Sequence, residues 1–403
     1  MKKNNKSYVG MVYKFLKINT RQYAMIIALL LIWLVFSVLT NFVFLTPRNL
    51  SNLFIQSTTV AILSIGMTLV VVSGHLDLSC GSVLGFCGAV ASVLMIRFGL
   101  GISSVLFATV FIGGLIGLWQ GYWIGYKKIS SIIVTLSSMI IFRGAIIGIT
   151  GGKTLGLEMA SSQTANIFRK IGQGYLPRIN KSLPFHDTTL YLVLSLILLF
   201  WIFDFSKRKE KIRYGFDVLP LRINIIKNIL ISTGILIIAS IMIFYMGAPY
   251  CVILVIILTC IFDFITKNTT FGRHLYAIGS DIEAARLAGI NVKSKVLYLF
   301  VVMGIITAIA GIVYTSRLNA ATTSAGVNFE LDAIASAAIG GASFLGGEGT
   351  IPGAVIGALV MASVDNGMSL LNLDITFQYI IKGLILLLAV WLDMISRRKS
   401  IHL

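Results

Sequence analysis

Long apolar runs are the feature that most constrains the fold of this chain. Twelve such runs begin near Ala24, Leu53, Ser82, Ile102, Ile129, Thr188, Ile229, Cys251, Val296, Leu331, Gly353 and Ile375. A helix of about 20 apolar residues crosses the ~30 Å hydrocarbon core of a bilayer. The runs are continuous rather than alternating, which favours helices over a closed barrel. We therefore predict an all-α polytopic membrane protein with about ten to twelve transmembrane helices, some of them broken or re-entrant.

The composition excludes an ordinary soluble enzyme. Of the 403 residues, 57% are hydrophobic and only 12% are charged, whereas about a quarter of a soluble domain is charged. The net charge of +18 is compatible with nucleic-acid binding. The basic residues cluster by side of the membrane instead, so we expect no nucleic-acid partner.

The distribution of Lys and Arg predicts the orientation of the chain. If the N-terminus is cytoplasmic, 23 of the 33 basic residues fall in segments on the inner side and eight in segments on the outer side. This positive-inside bias predicts that both termini lie in the cytoplasm. The first apolar run is too long for a signal-peptide core and is expected to remain as an anchor. We divide the chain into a basic cytoplasmic segment 1–23, a transmembrane domain 24–395 and a cytoplasmic tail 396–403, with cytoplasmic segments at 206–228 and 267–295.

The sequence offers no pattern for metal, redox or nucleotide chemistry. The cysteines Cys80, Cys87, Cys251 and Cys260 lie in or beside apolar runs without a CxxC pair, as packing residues do. The four histidines have no ligand spacing, and the GKT at residues 152–154 lacks the glycine and the strand of a phosphate loop. We predict no catalytic residue, no metal site and no cofactor.

Glycines at intervals of four residues predict close helix packing. Gly113, Gly117, Gly121 and Gly125 form one stripe, and Gly81/Gly85, Gly144/Gly148 and Gly353/Gly357 repeat the spacing. Such a stripe lets another backbone approach closely. Packing inside one subunit and a seam between two subunits both fit this pattern.

Two breaks in the apolar runs are candidates for a substrate pathway. The first, VVVSGHLDLSCGSVLGF, contains Asp77, Ser79 and Gly81. In the second, AAIGGASFLGGEGTIPGAVIG, the apolar run is interrupted by Glu348, Pro352 and the five glycines that precede this proline. Discontinuous helices leave backbone groups that must face protein or a water-filled cavity, and transporters place them near substrate. The two segments share a weak pattern that suggests an internal repeat. The alternative for Asp77 is an N-cap of the following helix, with Ser79 as its local partner.

Ionisable residues inside the apolar runs are further candidates. Asp365 and Asn366 lie in MASVDNGMS, and Arg143 and Lys382 lie in other runs. A charged side chain inside a membrane span is costly and usually faces the bundle interior. For Lys382 the alternative is snorkelling toward a membrane face.

One short polar helix is predicted in the charged segment between two runs. In GSDIEAARLAGI, Ser280 and Glu283 have the spacing of a capping box, and Gly289 has the place of a C-terminal cap. The result is a helix of about two turns over 281–289, kept slim by alanines. So short a helix needs docking to persist.

Several segments, in order, resemble the permease subunits of ABC importers. The Glu-Ala-Ala, three residues, Gly pattern from Glu283 to Gly289 is similar to their coupling loop, and GHLDLSCGS resembles a segment of the ribose/xylose (multiple monosaccharide) permeases, with Cys80 where valine is usual. FGRHLYAIGSDIEAARLAGINV, YTSRLNAATTSAGVNFELDAIASAAIGGASFLGGEGT and SVDNGMSLL…QYIIKGLILLLAVWLD look like the corresponding stretches of xylose-type permeases. The insertion RYGFDVLPL also favours that longer branch. Asp281 and Glu348 depart from the family, which has asparagine and often a basic residue there.

The resemblance implies a permease subunit without its own ATPase. Its partners would be an ABC ATPase, an extracytoplasmic sugar-binding protein, a second permease copy as a homodimer and the lipid of a bacterial cytoplasmic (inner) membrane. The ATPase-coupling residues would be Gly272, Arg273, Ser280, Glu283, Ala284, Ala285 and Gly289 on a short cytoplasmic coupling helix. The cargo would be a monosaccharide such as D-xylose, with ribose, galactose or a nucleoside as alternatives. An ion-coupled secondary transporter is the rival class, because Asp77 and Asp365 could serve proton or sodium coupling.

Overall fold

The structure is a computed structural model that describes residues 20–216, 218 and 220–401. Side chains are described throughout that range except at 20–24, 392–393 and 395–401. Most of the predicted basic segment 1–23, and the side chains of the predicted tail 396–403, therefore lie outside the described residues.

Fifteen α-helices account for almost all regular structure in the described part of the chain. They are α1 Thr20–Leu39, α2 Pro47–Val72, α3 Cys80–Ile96, α4 Ile102–Gly125, α5 Ser131–Thr150, α6 Ser162–Gln173, α7 Asp187–Arg213, α8 Leu221–Ile243, α9 Tyr250–Asn268, α10 Thr270–Ser280, α11 Ile282–Leu287, α12 Val292–Leu318, α13 Phe329–Ile339, α14 Ile351–Leu370 and α15 Ile375–Ile401. Single 3-10 turns lie at Val43–Leu45 and Leu157–Met159. Two short strands, β1 Leu155–Gly156 and β2 Ala320–Ala321, pair antiparallel with Leu155 opposite Ala321.

The helices confirm the predicted class of polytopic membrane protein. Eight are long and apolar enough to cross a membrane, and three shorter apolar helices lie at Met25–Leu39, Cys80–Ile96 and Ile375–Trp391. Together they fall within the predicted range of spans. The predicted discontinuous helices correspond to α3, which follows the first break, and to α13, because both helices are shorter than a full crossing.

The chain divides into two compact units, and α7 and α8 belong to the smaller one, which contains Tyr175–Ala248. In this hairpin Trp201 Nε1 donates to Ser232 Oγ at 2.9 Å. Lys227 Nζ lies 2.9 Å from Asp204 Oδ1, and the Asn224 amide donates to the same carboxylate. Because the carboxylate is paired and hydrogen-bonded, it is tolerated between the two helices.

Glycines bring α4 and α12 together at the centre of the larger unit. A Cβ added at Gly121 would lie 2.8 Å from the Leu297 carbonyl oxygen, and one at Gly125 would lie 2.7 Å from that of Lys293. Gly113 and Gly117 approach the α12 backbone in the same way. This stripe therefore packs inside the chain, which decides between its two sequence interpretations.

The remaining glycine pairs divide into two groups. Gly85 faces the Ala325 carbonyl, and Gly357 faces that of Ser336, so both are used in packing within the chain. Gly144 and Gly148 on α5 face open space within the described chain. All four cysteines are free, and Cys260 alone of them is exposed.

Candidate functional site

The first break in the helices is a buried polar turn between α2 and α3. Ser79 donates from its backbone N–H and its hydroxyl to Asp77 Oδ1, at 2.8 and 2.6 Å. Gln120 Nε2 on α4 donates to the same hydroxyl oxygen at 2.7 Å. Asp77 is only 2% exposed. The network satisfies polar groups that would otherwise be costly inside an apolar bundle.

The N-cap predicted for this break is shifted by two residues. The N-cap position of α3 is Ser79, whose side chain makes no capping bond. Asp77 lies two residues earlier and holds the Ser79 N–H in an Asx turn. The interpretation of Asp77 as the N-cap is wrong in position, although its local partner is Ser79 as predicted. Gln120 was not predicted; it is the one polar residue in LIGLWQGYWIG, and an isolated polar residue in an apolar run was the available signal.

Gly81 is the point at which two interrupted segments of the chain meet. A Cβ at Gly81 would overlap the carbonyl oxygen of Gly326 and a carboxylate oxygen of Glu330. Glu330 lies in the first turn of α13 and is buried, and its Oε2 has no hydrogen-bond partner in the described structure. Arg143 on α5 donates to the Ala325 carbonyl at 2.7 Å in the same loop. Only glycine at position 81 permits this approach of α3 to the segment before α13.

Three helices place a lysine between two carboxylates. Lys382 Nζ on α15 lies 3.1 Å from Asp332 Oδ2 on α13 and 2.8 Å from Asp365 Oδ2 on α14. Asn366, the next residue on α14, is buried. The snorkelling interpretation of Lys382 is therefore wrong, because its amine is ion-paired inside the bundle. Asp332 was not predicted, and a cavity of about 140 Å³ lies beside it.

Glu348 lies apart from this cluster, in the turn between α13 and α14. Its side chain is exposed and its carbonyl accepts from the Ser343 N–H at 2.9 Å. The neighbouring Gly347 N–H donates to the Val72 carbonyl at 2.8 Å. The predicted pathway residues thus fall in three places: the turn of Asp77, the lysine cluster and this loop.

The loop of Glu348 is also bonded to α10. The Tyr276 hydroxyl donates to the Gly349 carbonyl at 2.7 Å. Burial raises the pKa of Tyr276 to about 12, so the hydroxyl stays protonated and available as a donor. Gly279 approaches the Val72 carbonyl too closely for any side chain. The helices α10 and α11 are therefore attached to the bundle by backbone contacts as well as by side chains.

The short polar helix exists, with a different N-terminal cap. Asp281 is the N-cap of α11, and its Oδ1 accepts from the Glu283 and Ala284 N–H groups at 2.9 and 3.0 Å. Ser280 ends α10 and donates to the Tyr276 carbonyl. The predicted Ser280–Glu283 capping box is therefore wrong, because Asp281 supplies an acceptor closer to the first N–H groups.

The predicted C-terminal cap of α11 is confirmed. Gly289 has φ +83°, and its N–H donates to the Arg286 carbonyl at 3.0 Å. The Ile290 N–H donates to the Ala285 carbonyl at 3.1 Å, which completes a Schellman motif. Glycine is favoured at this left-handed position. The helix spans six residues, shorter than the predicted 281–289.

The faces of α11 differ in exposure. Ala285 is 4% exposed and packs toward the bundle, whereas Ile282 is 50% and Leu287 is 87% exposed. Ala284 is also exposed. On α10, Gly272 is buried against the end of α9 and Arg273 is exposed. The exposed apolar side chains of this capped helix are available to a partner.

The described residues contain no group of three or more His, Cys, Asp or Glu side chains that could hold a metal ion. What the site offers instead is a set of buried hydrogen-bonding groups and a presented helix.

Comparisons with known proteins place the chain among membrane permeases. The family model described as "Branched-chain amino acid transport system / permease component" matches residues 49–213 and 222–390. The xylose transport system permease protein XylH of Haemophilus influenzae is 39% identical over 96% of this chain and 100% of its own length. XylH of Escherichia coli K12 is 39% identical over 95% of this chain and 94% of its own. The ribose import permease protein RbsC of H. influenzae is 30% identical over 87% of this chain and 86% of its own.

No solved structure matches the chain. The family model covers both sides of the turn between α7 and α8, and the XylH relatives align along nearly the whole length. The chain therefore belongs to the family described as "Branched-chain amino acid transport system / permease component" and is a transmembrane permease.

Proposed function

We propose that this permease is the membrane subunit of an ATP-driven importer that carries D-xylose into a bacterial cell by alternating access. The proposal takes its substrate from the XylH relatives, which are named as xylose transport permeases. It places both termini, α10 and α11 on the cytoplasmic side, because most Lys and Arg residues would then face inward.

The single observation that carries the proposal is that α11 is a capped helix with an exposed apolar side chain. The helix is capped at both ends, packs Ala285 inward and leaves Leu287 almost fully exposed. Exposed apolar side chains at the centre of an interface can act as binding anchors, and we assign this role to Leu287. An ABC ATPase is the partner we assign to it, and movement of that ATPase would be transmitted through the contacts of Gly279 and Gly347 with α2.

The pathway in this proposal runs past the buried polar groups of the bundle. A sugar loses hydrogen bonds to water when it enters the membrane, so the pathway must replace them. Asp77, Ser79 and Gln120 supply such groups at one break, and Asp365 and Asn366 supply them on α14. Gly81 joins the two regions by letting α3 approach Glu330.

Two further partners complete the importer. An extracytoplasmic binding protein would deliver the sugar, so the pathway itself needs little selectivity. A second copy of the chain would complete the pathway. The open faces of Gly144 and Gly148 on α5 support a second copy, since small residues with no neighbour in the described chain allow close helix approach.

The rival function is ion-coupled transport, and the cluster around Lys382 favours it. Two carboxylates share one lysine there, an arrangement that could bind a proton or sodium ion. This alternative leaves the exposed face of α11 without a role.

Reconstitution separates the two functions. The permease is placed in proteoliposomes with its ATPase and binding protein, and uptake of labelled D-xylose is measured. Uptake that requires ATP, and that stops with an ATPase variant unable to hydrolyse it, supports the importer. Uptake by the permease alone under a proton or sodium gradient supports the rival.

A further inference from the structure

A large cavity opens beside α11, between the ends of three long helices. Its volume is about 740 Å³, within the range of small-molecule sites. It is lined by Gly74, His75, Ile124, Gly125, Lys128, Ile129, Ser130, Ser131, Ile282, Glu283, Arg286, Val292, Lys293 and Val296. None of the pathway residues discussed above belongs to this lining.

The charge of the lining is predominantly positive. Lys128, Arg286 and Lys293 face one carboxylate, that of Glu283. Glu283 and Arg286 approach each other at 3.5 Å, which leaves the two lysines as the excess charge. The side-chain amines of Lys128 and Lys293 have no ion-pair or hydrogen-bond partner among the described residues. Uncompensated cations on the wall of a cavity attract an anion.

The neighbouring lysines in the sequence behave differently. Lys127 Nζ lies 5.7 Å from the ring centre of Tyr122, and Lys295 Nζ lies 6.0 Å from that of Phe271. These two lysines do not line the cavity. The cation cluster is thus specific to Lys128 and Lys293 rather than a general property of this basic end of the bundle.

Helix N-termini add to the positive field of the lysines. Ser130 and Ser131 lie at the N-terminus of α5, and the Ser130 side chain makes no capping bond. Val292 and Lys293 begin α12. The first N–H groups of a long helix and its dipole favour a negatively charged ligand, and the two serine hydroxyls can donate as well.

We propose that this cavity is a binding site for a phosphate-bearing anion. A neutral sugar would not pair with the excess positive charge of three cations around one carboxylate. A phosphate group can accept hydrogen bonds from lysine, guanidinium and hydroxyl donors together. The phosphate belongs either to an anionic lipid headgroup or to a soluble phosphate compound. The site requires neither ATP-driven transport nor a particular substrate, so it stands independently of the proposed function.

The test measures ligand-induced stabilisation of the full-length permease in neutral detergent. Two probes are titrated at constant ionic strength: inorganic phosphate against chloride, and short-chain phosphatidylglycerol against phosphatidylcholine. The melting temperature is followed by intrinsic fluorescence, because a ligand that binds the folded state raises it in a saturable manner.

The variants are matched by position and charge. Lys128→Asn with Lys293→Gln removes the two lining charges, and asparagine tolerates the positive φ of residue 128. Lys127→Gln with Lys295→Gln removes two adjacent charges outside the cavity. Lys293→Gln alone is the second variant if the double replacement reduces folding.

We expect a saturable shift with at least one probe. The lining variant should need at least about tenfold more ligand for the half-maximal shift, since loss of each charged hydrogen bond accounts for roughly tenfold. The control pair should be unchanged. A shift with phosphate assigns a soluble ligand, and a shift with phosphatidylglycerol alone assigns a lipid. No saturable shift with either probe, or equal weakening in both pairs of variants, overturns the proposal.

Discussion

Lys382 Nζ lies 2.8 Å from a carboxylate oxygen of Asp365 and thereby joins α15 to α14. The same nitrogen lies 3.1 Å from Asp332 on α13, so one cation serves two carboxylates. A single amine thus links three helices. This asymmetry between one lysine and two aspartates makes the cluster testable by stability alone.

Removing the lysine should be more damaging than removing one carboxylate. We expect Lys382→Met to lower the free energy of unfolding by about 3 kcal/mol, because the buried carboxylate of Asp332 and the half-buried carboxylate of Asp365 both lose their partner. Asp365→Asn should cost far less, since Lys382 keeps Asp332. Thermal unfolding in detergent compares the two variants. Equal destabilisation by both would show that the cluster does not act as one charge network.

The cap of α11 gives a second prediction. Asp281→Ala removes the acceptor of two backbone N–H groups and should destabilise this helix by about 1 kcal/mol. Ser280→Ala is the matched control, since Ser280 donates only to the Tyr276 carbonyl and caps nothing in α11. Hydrogen exchange over residues 282–287 measures the local effect. Faster exchange in the Ser280 variant than in the Asp281 variant would show that Ser280, and not Asp281, caps this helix.

The caps of the short helix α11 show that local features can be predicted from the sequence to within about one residue. Long apolar runs and the left-handed Gly289 are local signals, because each depends on residues a few positions apart. The choice of cap was one residue off because Ser280 and Asp281 are both good N-cap residues and the end of α10 decides between them.

The partners of Lys382 show where it fails. Asp332 is 50 residues away in sequence, and only the packing of α13 against α15 brings the two together. The local sequence pattern of either helix does not indicate which residue of the other helix it will contact. The bond from Gln120 to Ser79 is missed for the same reason, since it joins α4 to the turn before α3.

Asp77 distinguishes a pathway role from a purely local one. Asp77→Asn keeps an oxygen that can accept from Ser79, so the melting temperature should stay near that of the parent. Asp77→Ala should lower stability by about 1 kcal/mol or more, because Ser79 loses the acceptor of its two hydrogen bonds. If the carboxylate serves the sugar, both variants reduce D-xylose uptake per folded complex while ATP hydrolysis continues. Normal uptake by Asp77→Asn would confine the residue to its turn.

The proposed orientation predicts which faces are labelled in intact cells. After replacement of the native cysteines, a cysteine at exposed Ser280 should react with a membrane-impermeant reagent only once the inner face is opened. A cysteine at exposed Gln173 should react from outside. Cys260 needs replacement first because it is the exposed native cysteine. The opposite labelling pattern would invert the topology.

Leu287 is predicted to be an anchor for the ATPase. Leu287→Asp should reduce the ATPase that co-purifies with the permease by about tenfold or more, because a charge replaces an apolar contact at the centre of an interface. The permease itself should keep its melting temperature, since the side chain is 87% exposed. Leu287→Met, which preserves an apolar side chain, should retain the partner. Ile179→Asp is a matched control in the loop before α7, where an apolar side chain is 77% exposed. If the amount of co-purifying ATPase is unchanged in Leu287→Asp, or falls equally in Ile179→Asp, α11 is not part of the interface. The exposed side chain of Leu287 would then bind another partner.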